Sequence, residues 1–371
     1  MILEKLDLTQ FRLHKKTHIE FNKKLNFIVG GNGQGKTTIL EAIYYLCTTK
    51  NLGNNADSEA ISFDGSQFDI EGIFSDLVKN KVRINLLRDA NRKNIWLDDK
   101  QIYRAASFIG NFPVVTLTQS DHSLTLGSPA ERRKFVDSVI SQSSETYLKT
   151  ILDYNKTLRQ RSYLLNRIKE NNNKSLFDQF DAWTETLVKL GLIIIEHRIK
   201  FIEEFNNYLE DSYKNLLLEK EKPGLEYFFF EGYKENKKIE EYYLEQIKKK
   251  REDELRRCIN LVGPHKDDFI FRINDMELKK YGSQGQHKTY QIALKFAQFF
   301  YMKDKLGKEP IFLMDDVFGE LDNYRAGKTS DFVRSIGQAF ITLTDFTNYK
   351  NIVNLETDLT IEVKNGQVNY V

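Results

Sequence analysis

The chain has only two cysteines in 371 residues, Cys47 and Cys258, and neither stands at a spacing suited to a metal or a disulfide. Disulfide stapling is thereby excluded, and free thiols fit a reducing cytosol. An excess of charge is also missing. The 55 Lys and Arg against 53 Asp and Glu leave +2, so bulk charge announces no polyanionic partner and any basic surface must be local. The longest apolar run, residues 190–195, is far too short to span a bilayer. Met1-Ile2-Leu3-Glu4-Lys5 carries no signal-peptide pattern, so the expectation is a soluble, cytoplasmic protein with no membrane partner. Internal repeats and low-complexity tracts are absent too. What the chain does have is 40% hydrophobic content over more than one typical domain length, enough for a large core and a smaller second unit.

Against that background Ile28-Val29-Gly30-Gly31-Asn32-Gly33-Gln34-Gly35-Lys36-Thr37-Thr38 stands out. An apolar strand (Leu25, Phe27, Ile28, Val29) runs into a glycine-rich turn, and Ile39, Leu40, Ala42, Ile43 and Leu46 mark the helix that follows. Glycines at 30, 31, 33 and 35 permit positive φ and close backbone approach, so the N–H groups of Gly30 to Thr38 can surround a β-phosphate at the positive end of that helix. Lys36 would reach the β- and γ-phosphates and Thr37 would ligate Mg²⁺. A chance match to this pattern is expected on the order of once in a hundred chains of this length. Ile311-Phe312-Leu313-Met314-Asp315-Asp316 supplies the complement, a buried strand ending in two carboxylates, the form of a Walker B segment. Asp315 would hold the metal, directly or through water, and Asp316 would orient or deprotonate the water attacking the γ-phosphate. The chain therefore reads as one that binds a nucleotide with Mg²⁺, which the resemblance described below implies is ATP.

Residues 1 to about 125 read as strands with one helix, the strands falling at 2–8, 18–21, 67–73, 82–87 and 95–97. Ser128 followed by Pro129, an N-cap and a first-turn proline, opens a helical region. Tyr147, Ile151, Tyr154, Leu158, Leu165 and Ile168 step by four and three with one polar skip at Arg161. After Asn171-Asn172-Asn173 a second series runs through Leu176, Phe180, Trp183, Leu187, Leu190, Ile194, Phe201, Phe205 and Tyr208. Such stripes suit an antiparallel helical hairpin. Two ordinary core helices would show stripes as well, but the length and the charged off-seam positions favour an arm. A strand at 227–230, a charged helix at 239–257, a strand at 269–273, a helix at 284–303, a strand at 311–314, a helix after Leu321 and a strand at 339–343 then return the chain to the head. That alternation implies a partly parallel sheet. The expected division is an α/β head from residues 1–125 and 260–371, with a mainly helical arm at 126–259 inserted in it.

Tyr281-Gly282-Ser283-Gln284-Gly285-Gln286 places small and polar residues before a helix, which alone is ordinary capping. Lying ahead of the Walker B strand, it resembles the signature motif of ABC-type ATPases, and the resemblance implies that Ser283, Gly285 and Gln286 cap the γ-phosphate held by a second subunit. An ATP-dependent homodimer follows from that. A phosphate loop near the start, a helical arm in the middle and signature plus Walker B near the end are similar to the SMC class, whereas transporter ATPase subunits have a far shorter interval and no long helical insertion. The shortness of the arm, with Phe11-Arg12, Gly127-Ser128-Pro129-Ala130-Glu131-Arg132-Arg133, Gly263-Pro264-His265-Lys266-Asp267-Asp268 and Asp315-Asp316-Val317-Phe318-Gly319-Glu320-Leu321-Asp322, resembles the bacterial RecF family over nearly the whole chain.

The resemblance implies an ABC-type P-loop ATPase head with a mixed sheet, plus an α-helical arm resembling a shortened SMC coiled coil. It implies a weak ATPase used as a switch, binding to double-stranded DNA and to single/double-strand junctions, and help in loading recombinase at gaps beside RecR- and RecO-type mediators. It puts Gln119 at the Q-loop, a sensor of Mg²⁺ and the γ-phosphate, and Thr344-Asp345 where transporters carry a switch histidine. Thr48-Thr49-Lys50-Asn51-Leu52-Gly53 departs from the family pattern, offering only Lys50 where a basic stretch is expected. Asp316, in place of the Glu of most ABC ATPases, suits slow turnover. Contact with DNA needs cations aimed at phosphates, and the local clusters are 79–83 with Arg92 and Lys93, 132–134, and 248–251, with Lys81, Arg83, Arg132 and Arg133 foremost. No base-reading motif is present, so backbone recognition without sequence preference is expected. The competing reading is an ABC-type ATPase that acts on a protein partner and not on DNA.

Overall fold

Two kinds of strand pattern coexist in this chain, and each forms its own sheet in the computed structural model. The structure describes residues 1–53, 56–89, 92–171, 173–216, 221–233, 237–344 and 357–371, with the side chains of Glu320 and Asn323 left aside. Asn172 of the asparagine turn and Asp345 therefore lie outside the described residues. The chain begins with β1 (Ile2–Phe11), β2 (His14–Glu20), β3 (Leu25–Val29), α1 (Lys36–Thr48), β4 (Gln67–Ser75), β5 (Lys79–Leu87), β6 (Arg92–Leu97), β7 (Lys100–Ile102) and β8 (Val114–Thr118). Next come α2 (His122–Leu126), α3 (Pro129–Ser143), α4 (Glu145–Glu170), α5 (Lys174–Leu216), β9 (Pro223–Phe228), α6 (Ile239–Arg257), β10 (Asp268–Ile273), β11 (Met276–Glu277) and α7 (Leu278–Tyr281). The last stretch holds α8 (Gln284–Leu306), β12 (Ile311–Asp315), α9 (Asn323–Ser335), β13 (Ala339–Leu343), β14 (Leu359–Lys364) and β15 (Gln367–Tyr370). Among the described residues no helix is long and apolar enough to cross a membrane.

The chain folds as two compact units, the first from residues 1–122, 211–220 and 288–371, the second from 123–210 and 221–287. In the first, β4 buries Phe68, Ile70, Gly72 and Phe74 and leaves alternate residues less buried, the pattern of an antiparallel sheet with one covered face. That sheet runs β2-β1-β4-β5-β6-β7. By contrast β3 and β13 are buried at every position, as strands covered on both faces must be, and they lie inside a second sheet, β15-β14-β3-β13-β12-β8. Its members from β14 to β8 are parallel. Ile39, Leu40, Ile43 and Leu46 of α1 fill one core with Leu6, Phe68 and Ile84 of the first sheet and Ile28, Leu313 and Phe340 of the second. A buried amide locks the sheets together: Gln338 Oε1 accepts the Leu3 N–H at 2.7 Å while its Nε2 donates to the Leu3 carbonyl at 2.8 Å.

The second unit contains the two long helices. Leu164, Leu165 and Ile168 of α4 pack with Phe180, and with the flanking Leu176, Phe177 and Trp183, where α4 gives way to α5. The polar skip at Arg161 is a buried charge: its guanidinium is fully enclosed, donating to Glu254 Oε2 (2.8 Å), Thr184 Oγ1 (2.9 Å) and Asn260 Oδ1, and lying over the Phe180 ring. Residues 260–287, expected in the head, group instead with this unit, because β10 pairs along its length with β9 and packs on α3. The strand expected at 227–230 is β9, displaced toward Pro223 because Phe230 adopts a left-handed φ of 48° that ends it.

Arg161 and Glu254 give a first prediction. A buried ion pair stripped of one member strands the other, which costs about 3–5 kcal/mol. Arg161→Met should lower the urea unfolding free energy by that amount, and adding Glu254→Leu should recover most of it. A double variant no better than the single would contradict the pairing. A second prediction concerns pH. Burial pushes Asp267 up from 3.8 to about 6, so its contribution to stability is complete below 3.8 and lost as pH rises through about 6. Burial also pushes His265 down from 6.5 to about 4, so its contribution is complete above 6.5 and lost as pH falls through about 4. Between those limits the two slopes oppose each other. Asp267→Asn should leave the His265 slope uncancelled, making unfolding free energy fall as pH drops from 6 to 4 by up to about 1.4 kcal/mol per unit. A variant whose urea midpoint tracks that of the wild type across this range would refute it.

Candidate nucleotide site

The phosphate loop is built by the ends of parallel strands. β3 delivers it, β13 pairs beside β3, and β12 pairs beside β13, so the Walker B strand is one removed from the loop strand. Gly30 has φ 155° and Gly35 φ 107°, and a Cβ on Gly30 would come within 2.4 Å of the Val363 carbonyl, so these positions demand glycine. Gly31, expected to share the positive φ, does not. A cavity of about 190 Å³ lies between Leu13, Asn32, Gly33, Gly35, Lys36, Thr37, Thr38, Asp315 and Asp316.

The groups named from sequence converge there. Thr37 Oγ1 donates to Asp315 Oδ1 at 2.9 Å across 278 residues. A hydroxyl and a carboxylate oxygen held together at the head of α1 are the hard donors that Mg²⁺ takes, so the residues fit that ion. Lys36 Nζ donates to the carbonyls of Gly30 (2.6 Å) and Gly31 (2.9 Å). Burial lowers its pKa, while Asp316 and Asp315 raise it. Asp316 sits at φ 50°, a left-handed backbone that an aspartate tolerates better than most residues, and its N–H is received by Thr342 Oγ1 at 2.8 Å. Gln119, just beyond β8, donates from Nε2 to the Asp316 carbonyl at 3.4 Å. Sequence reasoning missed Thr342, which also donates to Asp315 Oδ1 at 2.8 Å. One hydroxyl in the otherwise apolar Ala339-Phe340-Ile341-Thr342-Leu343 was the available signal. Also missed was the Arg12–Glu41 pair, whose carboxylate is raised by burial and lowered by Arg12.

Ser283 stands in the second unit as the N-cap of α8. Its Oγ accepts the Gln286 N–H at 3.2 Å, and Gln286 Oε1 accepts the Ser283 N–H at 2.8 Å, a reciprocal capping box. Gln286 Nε2 also donates to Glu221, and Gly285 follows directly in the first turn. The four foremost DNA candidates are engaged within the protein. Lys81 pairs with Glu71 at 3.1 Å, and Arg83 grips Asp69 through Nε and Nη2. Arg132, 6% exposed, is bound by Asp268 and the Gly127 carbonyl, and Arg133 donates to the Asp267 carbonyl. Arg251 is likewise paired with Asp181 of α5.

The mixed parallel sheet, the phosphate loop on β3 and the carboxylates ending β12 define an ABC-type P-loop ATPase head with a helical insertion. The Smc head domain of Pyrococcus furiosus shares this fold, with a TM-score of 0.56 at 16% identity over 100% of this chain and 96% of that one. A family model described as AAA domain matches residues 5–260. The chain is 39% identical to the DNA replication and repair protein RecF of Chloroherpeton thalassium, over 95% of this chain and 97% of that protein. It is 35% identical to the RecF of Salinibacter ruber, over 96% and 88% respectively. A solved structure of the recombination mediator protein RecF with ATP, in the RecFOR pathway, superposes with a TM-score of 0.90 at 28% identity, covering 100% of this chain and 97% of that one. The chain belongs to the RecF family of DNA replication and repair proteins.

Lys36→Ala removes the ammonium held beside the phosphate loop and should weaken ATP binding about 100-fold in equilibrium titration. Asp316→Asn should leave that affinity intact and slow hydrolysis by about 10² to 10⁴. Undiminished turnover in Asp316→Asn would clear this carboxylate of a role at the attacking water.

Proposed function

We propose that the chain is an ATP-dependent DNA-binding protein of recombinational repair and replication maintenance, which uses weak ATP hydrolysis as a switch. The observation that carries this is the meeting of Thr37 with Asp315 beside Lys36, in a chain whose relatives are named DNA replication and repair proteins. Mg²⁺ held by Thr37 and Asp315 would supply Lewis-acid polarisation of the phosphates. The chain's own residues do the rest. Lys36 neutralises charge on the β- and γ-phosphates, the N–H groups from Gly33 to Thr38 cradle them, and Asp316 receives a proton from the attacking water. Products are ADP and phosphate. Gln119, tied to the Asp316 carbonyl, senses whether the γ-phosphate is present.

The capped N-terminus of α8 at Ser283, Gly285 and Gln286 would face the γ-phosphate bound by a second copy, so that ATP joins two chains and hydrolysis parts them. Double-stranded DNA and single/double-strand junctions are the proposed ligands. RecR- and RecO-type mediators are the proposed partners, recombinase loading at gaps the proposed outcome, and the cytoplasmic nucleoid the proposed place.

Steady-state hydrolysis with and without gapped duplex DNA, at fixed low salt and several protein concentrations, tests this. The expected result is slow turnover that rises with DNA and more than linearly with protein, with DNA affinity falling steeply as salt increases. Ser283→Arg should bind ATP normally yet lose both the dimer and the concentration dependence. Linear hydrolysis indifferent to DNA would favour a protein partner instead.

A further inference from the structure

The turn between β14 and β15, which no motif marks, reaches the phosphate loop from the far end of the chain. Asn365 N–H donates to Gln34 Oε1 at 2.8 Å, and Gly366 N–H donates to the Gln34 carbonyl at 3.0 Å. The Gly366 carbonyl accepts from Thr17 Oγ1 at 3.2 Å. Thr17 Oγ1 lies 3.0 Å from His14 Nδ1, and His14 Nε2 lies 3.1 Å from the Gly35 carbonyl. Because Gln34 and Gly35 share a peptide bond, these contacts close a ring through three separate segments of the chain. It is buried: His14 is fully enclosed and Thr17 nearly so. A Cβ on Gly35 would meet His14 Nε2 at 2.9 Å, and one on Gly366 would meet the Leu13 carbonyl at 2.5 Å, so both glycines are needed for the approach.

What the ring grips are two carbonyls, those of Gln34 and Gly35. In a planar trans peptide the N–H points opposite to the C=O. Holding the Gln34 carbonyl therefore aims the Gly35 N–H, and holding the Gly35 carbonyl aims the Lys36 N–H, away from the ring. We propose that His14 and the β14–β15 turn are positioning residues for nucleotide phosphates, anchoring the backs of these two peptides so that their N–H groups meet the β-phosphate already oriented. This rests on the nucleotide reading and adds to it a role for residues that touch no phosphate.

Proton counting grades the contacts. A carbonyl only accepts, so His14 Nε2 carries a hydrogen, and in the neutral imidazole Nδ1 is then an acceptor. Burial lowers the pKa of His14 and so favours the neutral ring, in which the single hydroxyl proton of Thr17 serves either Nδ1 or the Gly366 carbonyl. The Thr17 link is thus the weaker, and the His14 link to Gly35 the stronger.

The test is equilibrium titration of the full chain with a fluorescent ATP analogue, paired with thermal unfolding without nucleotide. His14→Leu should weaken binding about 10-fold, Thr17→Val should weaken it less, and His14→Gln, whose side-chain N–H can reach the same carbonyl, should recover most of the affinity at an unchanged melting temperature. Binding by His14→Leu within twofold of wild type overturns the proposal, as does an equal loss in His14→Gln, which marks a packing role alone. A wild-type chain that binds no analogue, or a Lys36→Ala variant that binds as well as wild type, would instead remove the nucleotide reading beneath it.

Discussion

Parallel pairing of β13 with β3 on one side and β12 on the other is the constraint from which the site follows. Ile341 pairs opposite Phe27, and Asp315 opposite Thr342, so the carboxylate that ends β12 is carried to the same sheet edge as the loop leaving β3. Parallel strands bring their C-terminal ends to one side, the side where ligands bind in open α/β sheets. Thr342 converts that register into chemistry. Its hydroxyl spans both carboxylate-bearing residues, donating to Asp315 and accepting from the N–H of Asp316. A one-step slip between β12 and β13 would leave a buried hydroxyl and a buried N–H unpaired together.

The helical unit solves a different problem. Its core carries Arg161 with Glu254, and Arg198 with Asp137 and Asp267, all among aromatic rings. Apolar side chains of similar volume would stabilise such a core at least as well. What charge adds is intolerance of error. Leu164 can slide against Phe180 at little cost, but Arg161 has a partner in each of α5, α6 and the loop after α6, and any shift of one element strands it. Arg198 ties α5 in the same way to α3 and to the turn before β10.

Much of this was legible in the sequence, for identifiable reasons. Period and punctuation placed α6 at its observed bounds and β13 likewise, because charged flanks and a run of apolar residues leave little choice. The phosphate loop and Asp315-Asp316 were legible because phosphate chemistry restricts both residue type and spacing. Long-range pairing was not. β14 and β15 have short, mixed sequences whose strand character comes from pairing, β14 with β3 and β15 with β14, and His14 and Thr17 look like ordinary strand residues until Gly35 and Gly366 arrive. The boundary between units was missed for the same reason, since nothing local in residues 268–273 says that β10 will pair with β9. The acceptors of Lys81, Arg83, Arg132 and Arg133 were not legible either, because each lies on a neighbouring strand or loop.

The interruption of the first unit by the second has a consequence for synthesis. β3 is made before the helical unit, yet its two neighbours, β13 and β14, are made only after the whole of that unit has been translated. At bacterial rates that delay is on the order of tens of seconds. Through it the antiparallel sheet can form on α1 and the helical unit can fold from its own contacts, while Leu25-Asn26-Phe27-Ile28-Val29 keeps both hydrogen-bonding edges unsatisfied. A nascent chain stalled before residue 339 thus carries a bare strand that is apolar at every position but Asn26, the kind of segment that pairs with copies of itself. The part of the molecule built around the phosphate loop consequently becomes safe only once β13 and β14 have followed the helical unit.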